Sequence, residues 1–342
     1  LNQDASFTAA AEPLPLRPPS TLRRLFLGED GLRAGWSLLL FIALFAGLGW
    51  GVRRVEHTLK PAAIQRPVPG QEISPRLAID GEAIPFLIVL FVTWIMAKVE
   101  RRPNSVYGLG GSRKFPHFLA GLGWGIVCLS LLILTLWKTG FLVIDRRLLF
   151  GADVFRYAMI WLFGFFLVGL LEEYLTRGYV QYTLTRGFAG LYRWIFKTRY
   201  STALGFWTSA IIFSILFGLG HGKNPGESPI GLLSAGLAAL VFCLSLWRTG
   251  SLWWAIGFHA SWNWGQSFLY GVADSGLMMQ HHLLGTHLVG KPLLSGGTTG
   301  PEGSIFILPV LALACGIIVF ALPNVRREEA ENSAEDRLVR VA

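Results

Sequence analysis

Apolar residues along this chain gather into long runs, and the short stretches between them hold nearly all the charge. A helix of about 20 apolar residues rises about 30 Å, enough to cross the hydrocarbon of a bilayer. Eight runs reach that length, at 34–51, 83–100, 117–138, 155–176, 203–221, 229–247, 251–270 and 304–323. The pattern predicts an all-α fold, a polytopic membrane helix bundle of about eight transmembrane helices. The third run opens on GLGWG, residues 121–125, where the absence of side chains lets helices approach closely.

Composition agrees with the pattern. The 342 residues are 52% hydrophobic and only 15% charged, where a soluble domain carries about a quarter. The first 33 residues are polar and rich in proline (Pro13, Pro15, Pro18, Pro19) and predict a polar tail rather than a cleavable signal. A transmembrane domain over 34–324 follows, then a mixed-charge tail over 325–342. With eight spans both termini share a side, and 19 of the 30 Lys and Arg residues fall there. That bias predicts both termini in the cytoplasm of a multi-pass protein of the cell (inner) membrane. Basic residues that anchor loops account for the net charge of +9, so the expected partner is the lipid bilayer and not nucleic acid. Cys128, Cys243 and Cys315 lie inside apolar runs and read as packing residues. The Gly-rich stretch 281–303 holds His281, His282 and His287, with no carboxylate or cysteine spaced for a metal, and reads as a plain loop.

Three polar groups interrupt the apolar runs. The first is EEYLTR, where Glu172 and Glu173 end a stretch without charge since Arg156. An ionised side chain at a helix centre costs about 2.5–3.5 kcal/mol on insertion scales, so intramembrane acids mark function. Glu173 and Arg177 are four apart and share a helix face, which predicts an ion pair. Glu172 points elsewhere, toward another helix or a water-filled cavity, where a desolvated carboxylate suits a general base. The second group is Phe217 and His221, four apart at the end of the fifth run. The third is His259 and Asn263, again four apart, two donors aimed at one place as an oxyanion requires. A carboxylate, two histidines and an amide on three helices suffice for water activation and oxyanion stabilisation in a buried active-site cavity. They can meet if the helix of Glu172 runs on to about residue 186, or if the fifth span is short or tilted, as its terminal glycines permit. A helix over 158–186 centres on Glu172 and brings its carboxylate within a few ångströms of both histidines.

The ordered set EExxxR, FxxxH and HxxxN resembles the CPBP family of intramembrane endopeptidases, also called the Abi or type II CAAX prenyl endopeptidase family. The phrase TGSLWWAIGFHASWNW is similar to that family around its third motif. The resemblance covers a core of about 155–270. It implies a glutamate-dependent endopeptidase hydrolysing a membrane-associated peptide or lipidated protein, in eukaryotic relatives a prenylated CAAX tail. Carried over, Glu172 with His221 activates water, His259 and Asn263 form the oxyanion hole, and Glu173, Arg177 and Phe217 support the site. The family has been described as metalloproteases. A zinc or other divalent ion would fall to Glu172, His221 and His259. The metal-free version needs no cofactor and fits better, because Asn263 is a poor zinc ligand and a good oxyanion donor. Two other classes fit the same polar groups: a non-catalytic immunity or scaffold protein of the same fold, and a proton-coupled transporter. The transporter is disfavoured by the absence of two related halves.

Overall fold

The computed structural model describes residues 25–28, 31–59, 72–111 and 113–325. Nearly all of the expected N-terminal and C-terminal tails lies outside the described residues. The chain is an integral multi-pass membrane protein of all-α architecture. Six helices are long and apolar enough to cross a membrane: α1 (Ala34–Leu59), α2 (Pro75–Glu100), α3 (Lys114–Lys138), α4 (Ala152–Phe196), α5 (Ser201–His221) and α6 (Pro229–Thr249). Their outer faces are apolar, with Leu87, Phe91, Trp94, Phe155 and Phe163 exposed.

The two remaining expected spans are shorter than predicted. Residues 251–270 form α7 (Trp253–Trp264), continued by a π-helical turn (Gly265–Leu269). Trp254, Ala255, Ile256 and Ala260 in α7 are completely buried. Its apolarity serves protein contacts on all sides rather than lipid. Residues 304–323 form α8 (Ile307–Ala321), whose approach is consumed by a turn in which Ser304 Oγ donates to the Leu294 carbonyl. The described residues thus contain six long apolar helices where eight spans were expected.

Helix α2 starts eight residues before the apolar run does. Ser74 caps it, its Oγ accepting from Leu77 N–H at 3.3 Å, and Pro75 occupies the first turn, where its missing N–H costs nothing. The early start carries Glu82 into the bundle. Helix α4 is one continuous rod of 45 residues. It runs α-helical over Ala152–Glu173, π-helical over Tyr174–Val180 and α-helical again over Gln181–Phe196. Glu172 therefore sits near its midpoint.

Helices α2 and α4 run parallel. Ile79 packs over Gly164, the rings of Phe86 and Tyr174 lie 6.4 Å apart, and Tyr179 donates to Glu100 at 2.8 Å.

Glycines set the height of α7. A methyl on Gly121 or Gly125 of α3 would collide with the α7 backbone at Trp254 or Phe258, and one on Gly257 of α7 would collide with the α3 backbone at Phe118. The GLGWG run makes the close helix contact its composition predicted. At one end of the bundle, β1 (Leu142–Arg147) pairs antiparallel with β2 (Leu284–Leu288), with a bulge between Ile144 and Arg146. Part of the segment expected as plain loop is thus a strand, tied to the α3–α4 connection.

Candidate active site

A partly open cavity of about 400 Å³ lies in the bundle, lined by residues of α2, α4, α5, α6, α7, α8 and the segment after α7. Its lining includes Glu172, Phe217, His221, His259 and Asn263. Three helices far apart in sequence therefore present their motif side chains to one cavity.

Glu173 and Arg177 are buried at 0% and 3% exposure, and Arg177 Nη1 donates to Glu173 Oε2 at 2.7 Å. Arg177 Nε also reaches the Ala239 carbonyl on α6 at 3.3 Å. Its guanidinium lies over two rings, Phe217 at 4.9 Å and Phe242 at 5.3 Å. A planar cation over aromatic faces gains electrostatic attraction without further polar partners. Phe217 in turn stands 4.7 Å from the His221 ring. The second motif is thereby physically joined to the first.

His221 ends α5, and its Nδ1 lies 2.9 Å from the Phe217 carbonyl. A carbonyl only accepts, so Nδ1 carries the proton. In neutral imidazole Nε2 then keeps its lone pair.

His259 stands between the two acids. Its Nδ1 is 3.0 Å from Glu173 Oε1, and its Nε2 is 3.8 Å from Glu172 Oε2. The first is a hydrogen bond; the second is too long for one. The Phe242 ring stacks on the imidazole at 5.6 Å and fixes its plane. Glu172 is the open member of the acidic pair, its side chain 30% exposed. Asn263 follows one turn after His259, and its amide makes no hydrogen bond among the described residues.

Several lining residues escaped the sequence reading. Glu173 does more than neutralise Arg177, since it also holds His259 from 86 positions away. Phe242 packs on both Arg177 and His259 but looks like any aromatic in an apolar run. Glu82, Asp274 and Glu302 also line the cavity. Asp274 and Glu302 belong to the segment after α7. Asp274 accepts from Ser267 Oγ at 3.1 Å, and Glu302 accepts from Ser275 through its backbone N–H and its hydroxyl. Burial pushes the carboxyls of both above their ordinary range, and for Asp274 the neighbouring charge of Glu302 adds to this. Asn224, just past His221, donates to the Ser275 carbonyl at 2.9 Å and ties this cap to α5.

Metal fit is a matter of donor geometry. Among the described residues, no three His, Cys, Asp or Glu side chains form a group able to hold a metal ion. Glu172, His221 and His259, as placed, do not form a ligand set. The three loop histidines go separate ways as well. His281 stacks on Tyr157, His282 Nδ1 bonds the Leu284 carbonyl, and His287 Nδ1 pairs with Asp145 at 2.9 Å.

No curated protein and no solved structure matches the chain. Residues 154–265, which run from α4 into α7 and contain every motif residue, match the family model of type II CAAX prenyl endopeptidase Rce1-like proteins. By this segment, about a third of its length, the chain is similar to that family of membrane-embedded CAAX proteases.

Proposed function

We propose that this protein hydrolyses a peptide bond of a membrane-associated substrate, using Glu172 and His221 to activate water and His259 and Asn263 to hold the oxyanion. The observation that carries the reading is the meeting of all four side chains on one cavity. Glu172 is the open carboxylate, able to accept a water proton. His221 presents Nε2 as a second acceptor, because its other nitrogen is spent on the Phe217 carbonyl. Glu173 is held by Arg177 on one oxygen and takes the His259 Nδ1–H on the other. As imidazolium, His259 turns an Nε2–H to the developing oxyanion, and Arg177 with His259 then balances Glu173 with the oxyanion. Asn263 supplies the second donor, an arrangement worth most where water is excluded. No step here passes through a metal.

The matched family's name, a CAAX prenyl endopeptidase, supports a prenylated CAAX tail as the substrate. Aromatic and aliphatic walls, among them Phe165, Phe258, Trp262 and Leu277, suit a lipidated or apolar peptide. The Lys and Arg bias of the sequence supports termini in the cytoplasm and a protein of the inner membrane of the cell.

The test is cleavage of a farnesylated peptide and its unprenylated counterpart by the purified protein, with fragment masses read out and a chelator series run alongside. Cleavage at one bond, undiminished by chelator, is the expected result. Capture of both peptides with no fragments would favour the non-catalytic scaffold of the same fold.

A further inference from the structure

Hydrolysis of an amide needs two proton movements. One proton leaves the attacking water. A second must reach the nitrogen of the departing amine, because an amide anion is too basic to leave. Glu172 and His221 enter the reaction as acceptors, and His259 and Asn263 hold the oxyanion. The set so far contains no dedicated donor for the nitrogen.

Glu82 lies on α2, outside the family-matched segment. Leu77, Ala78, Gly81 and Glu82 line the cavity together, which makes one face of α2 its wall. The contacts of Ile79 with Gly164 and of Phe86 with Tyr174 bracket Glu82 along α4, at the level that leads to Glu172. Glu82 shares that lining with Glu172 and His259. Among the described residues its carboxyl makes no hydrogen bond and no ion pair.

An acid brought into a bundle with no structural partner has nothing to hold together. Two carboxyls facing one cavity also keep a proton between them more readily than two negative charges.

We infer that Glu82 is the general acid of the site, the carboxyl that protonates the leaving amine. The inference rests on the reading of Glu172 as base. The C–O bond forms as Glu172 takes one proton from water, leaving a tetrahedral oxyanion. As the carbonyl re-forms, the C–N bond breaks and Glu82 passes its proton to the nitrogen. The products are a carboxylic acid and an amine, with Glu172 protonated and Glu82 ionised. Transfer of that proton from Glu172 to Glu82 through solvent restores the starting state.

The test uses the purified full chain and two farnesylated peptides that differ only at the scissile bond, one an amide and one a thioester. A thiolate leaves without being protonated, so it does not need the acid. Glu82→Gln is expected to slow amide cleavage by about 10²–10⁴-fold and to leave thioester cleavage largely unchanged. The ratio of the two rates does not depend on how much of the variant folds. Equal slowing of both substrates would overturn the inference and make Glu82 structural. Wild-type amide cleavage by the variant would overturn it too, leaving Glu172 to carry its own proton across. Glu172→Gln reports separately on the base: it should slow both substrates, and wild-type rates on both would sink the base assignment while the ratio still decides Glu82.

Discussion

Glu173 shows how one side chain can serve packing and chemistry at once. It is wholly buried, with Arg177 bonded to one oxygen and His259 to the other. Removing one partner of a buried pair costs about 3–5 kcal/mol, since the other charge is left stranded. Glu173→Gln should therefore lower stability by about that much, measured by thermal unfolding in detergent. The double variant with Arg177→Met should recover part of the stability and none of the activity, because His259 would still lack its acid. Asn263→Ala separates the roles from the other direction. Loss of one oxyanion donor costs about 10²–10³-fold in kcat, and with no protein bond of its own to lose, Asn263 should change stability little. At this scale the sequence was informative where spacing is local. Glu173 with Arg177, Phe217 with His221 and His259 with Asn263 are each four apart, so helical periodicity alone paired them. The bond from Glu173 to His259, the stacking of Phe242 and the approach of Glu82 join different helices, and no local pattern encodes them.

Elements decide whether those pairs can meet. The apolar run carrying Glu172 ends near Thr176, which would leave the acids at a helix end. The chain instead continues through a π-helical turn to Phe196 and puts them at midlength. The sequence signalled this only through the need for Glu172 to reach the histidines. Helix α2 was misjudged for a related reason. Arg76, Asp80 and Glu82 break the apolar pattern, although Ser74 and Pro75 mark where the helix begins. The cap after α7 was read as loop because its strand is short and Gly-rich, and its carboxyls give no signal outside the fold. Those carboxyls carry a pH prediction. In the folded protein Asp274 and Glu302 hold their protons above the ordinary carboxylate range. Below that range both folded and unfolded chains are protonated and nothing is lost. As pH rises through it, the unfolded chain releases protons that the folded chain keeps, so stability must fall. Thermal unfolding followed from acid to neutral pH should show that decline, and Asp274→Asn should flatten it. A decline of the same slope in the variant would mean that the buried acid is not its source.

The described part of the molecule is a helix bundle built around one cavity. Helices α4 to α7, the family segment, bring the motif residues. Helix α2 and the cap, both outside that segment, close the cavity with further acids. The glycines of α3 fix α7 against it, and so fix His259. Fold class was legible from apolar periodicity because a bilayer admits few alternatives. The span count was not, since a buried helix such as α7 and a lipid-facing one have the same composition. Everything proposed for this cavity depends on Glu172 taking a proton from water. The most direct measurement is the single-turnover rate of peptide cleavage by Glu172→Gln beside wild type, on the substrate that wild type cuts. Glutamine keeps the shape and loses the base, so the rate should fall by about 10²–10⁴-fold with substrate binding retained. Cleavage at the wild-type rate would contradict the mechanism.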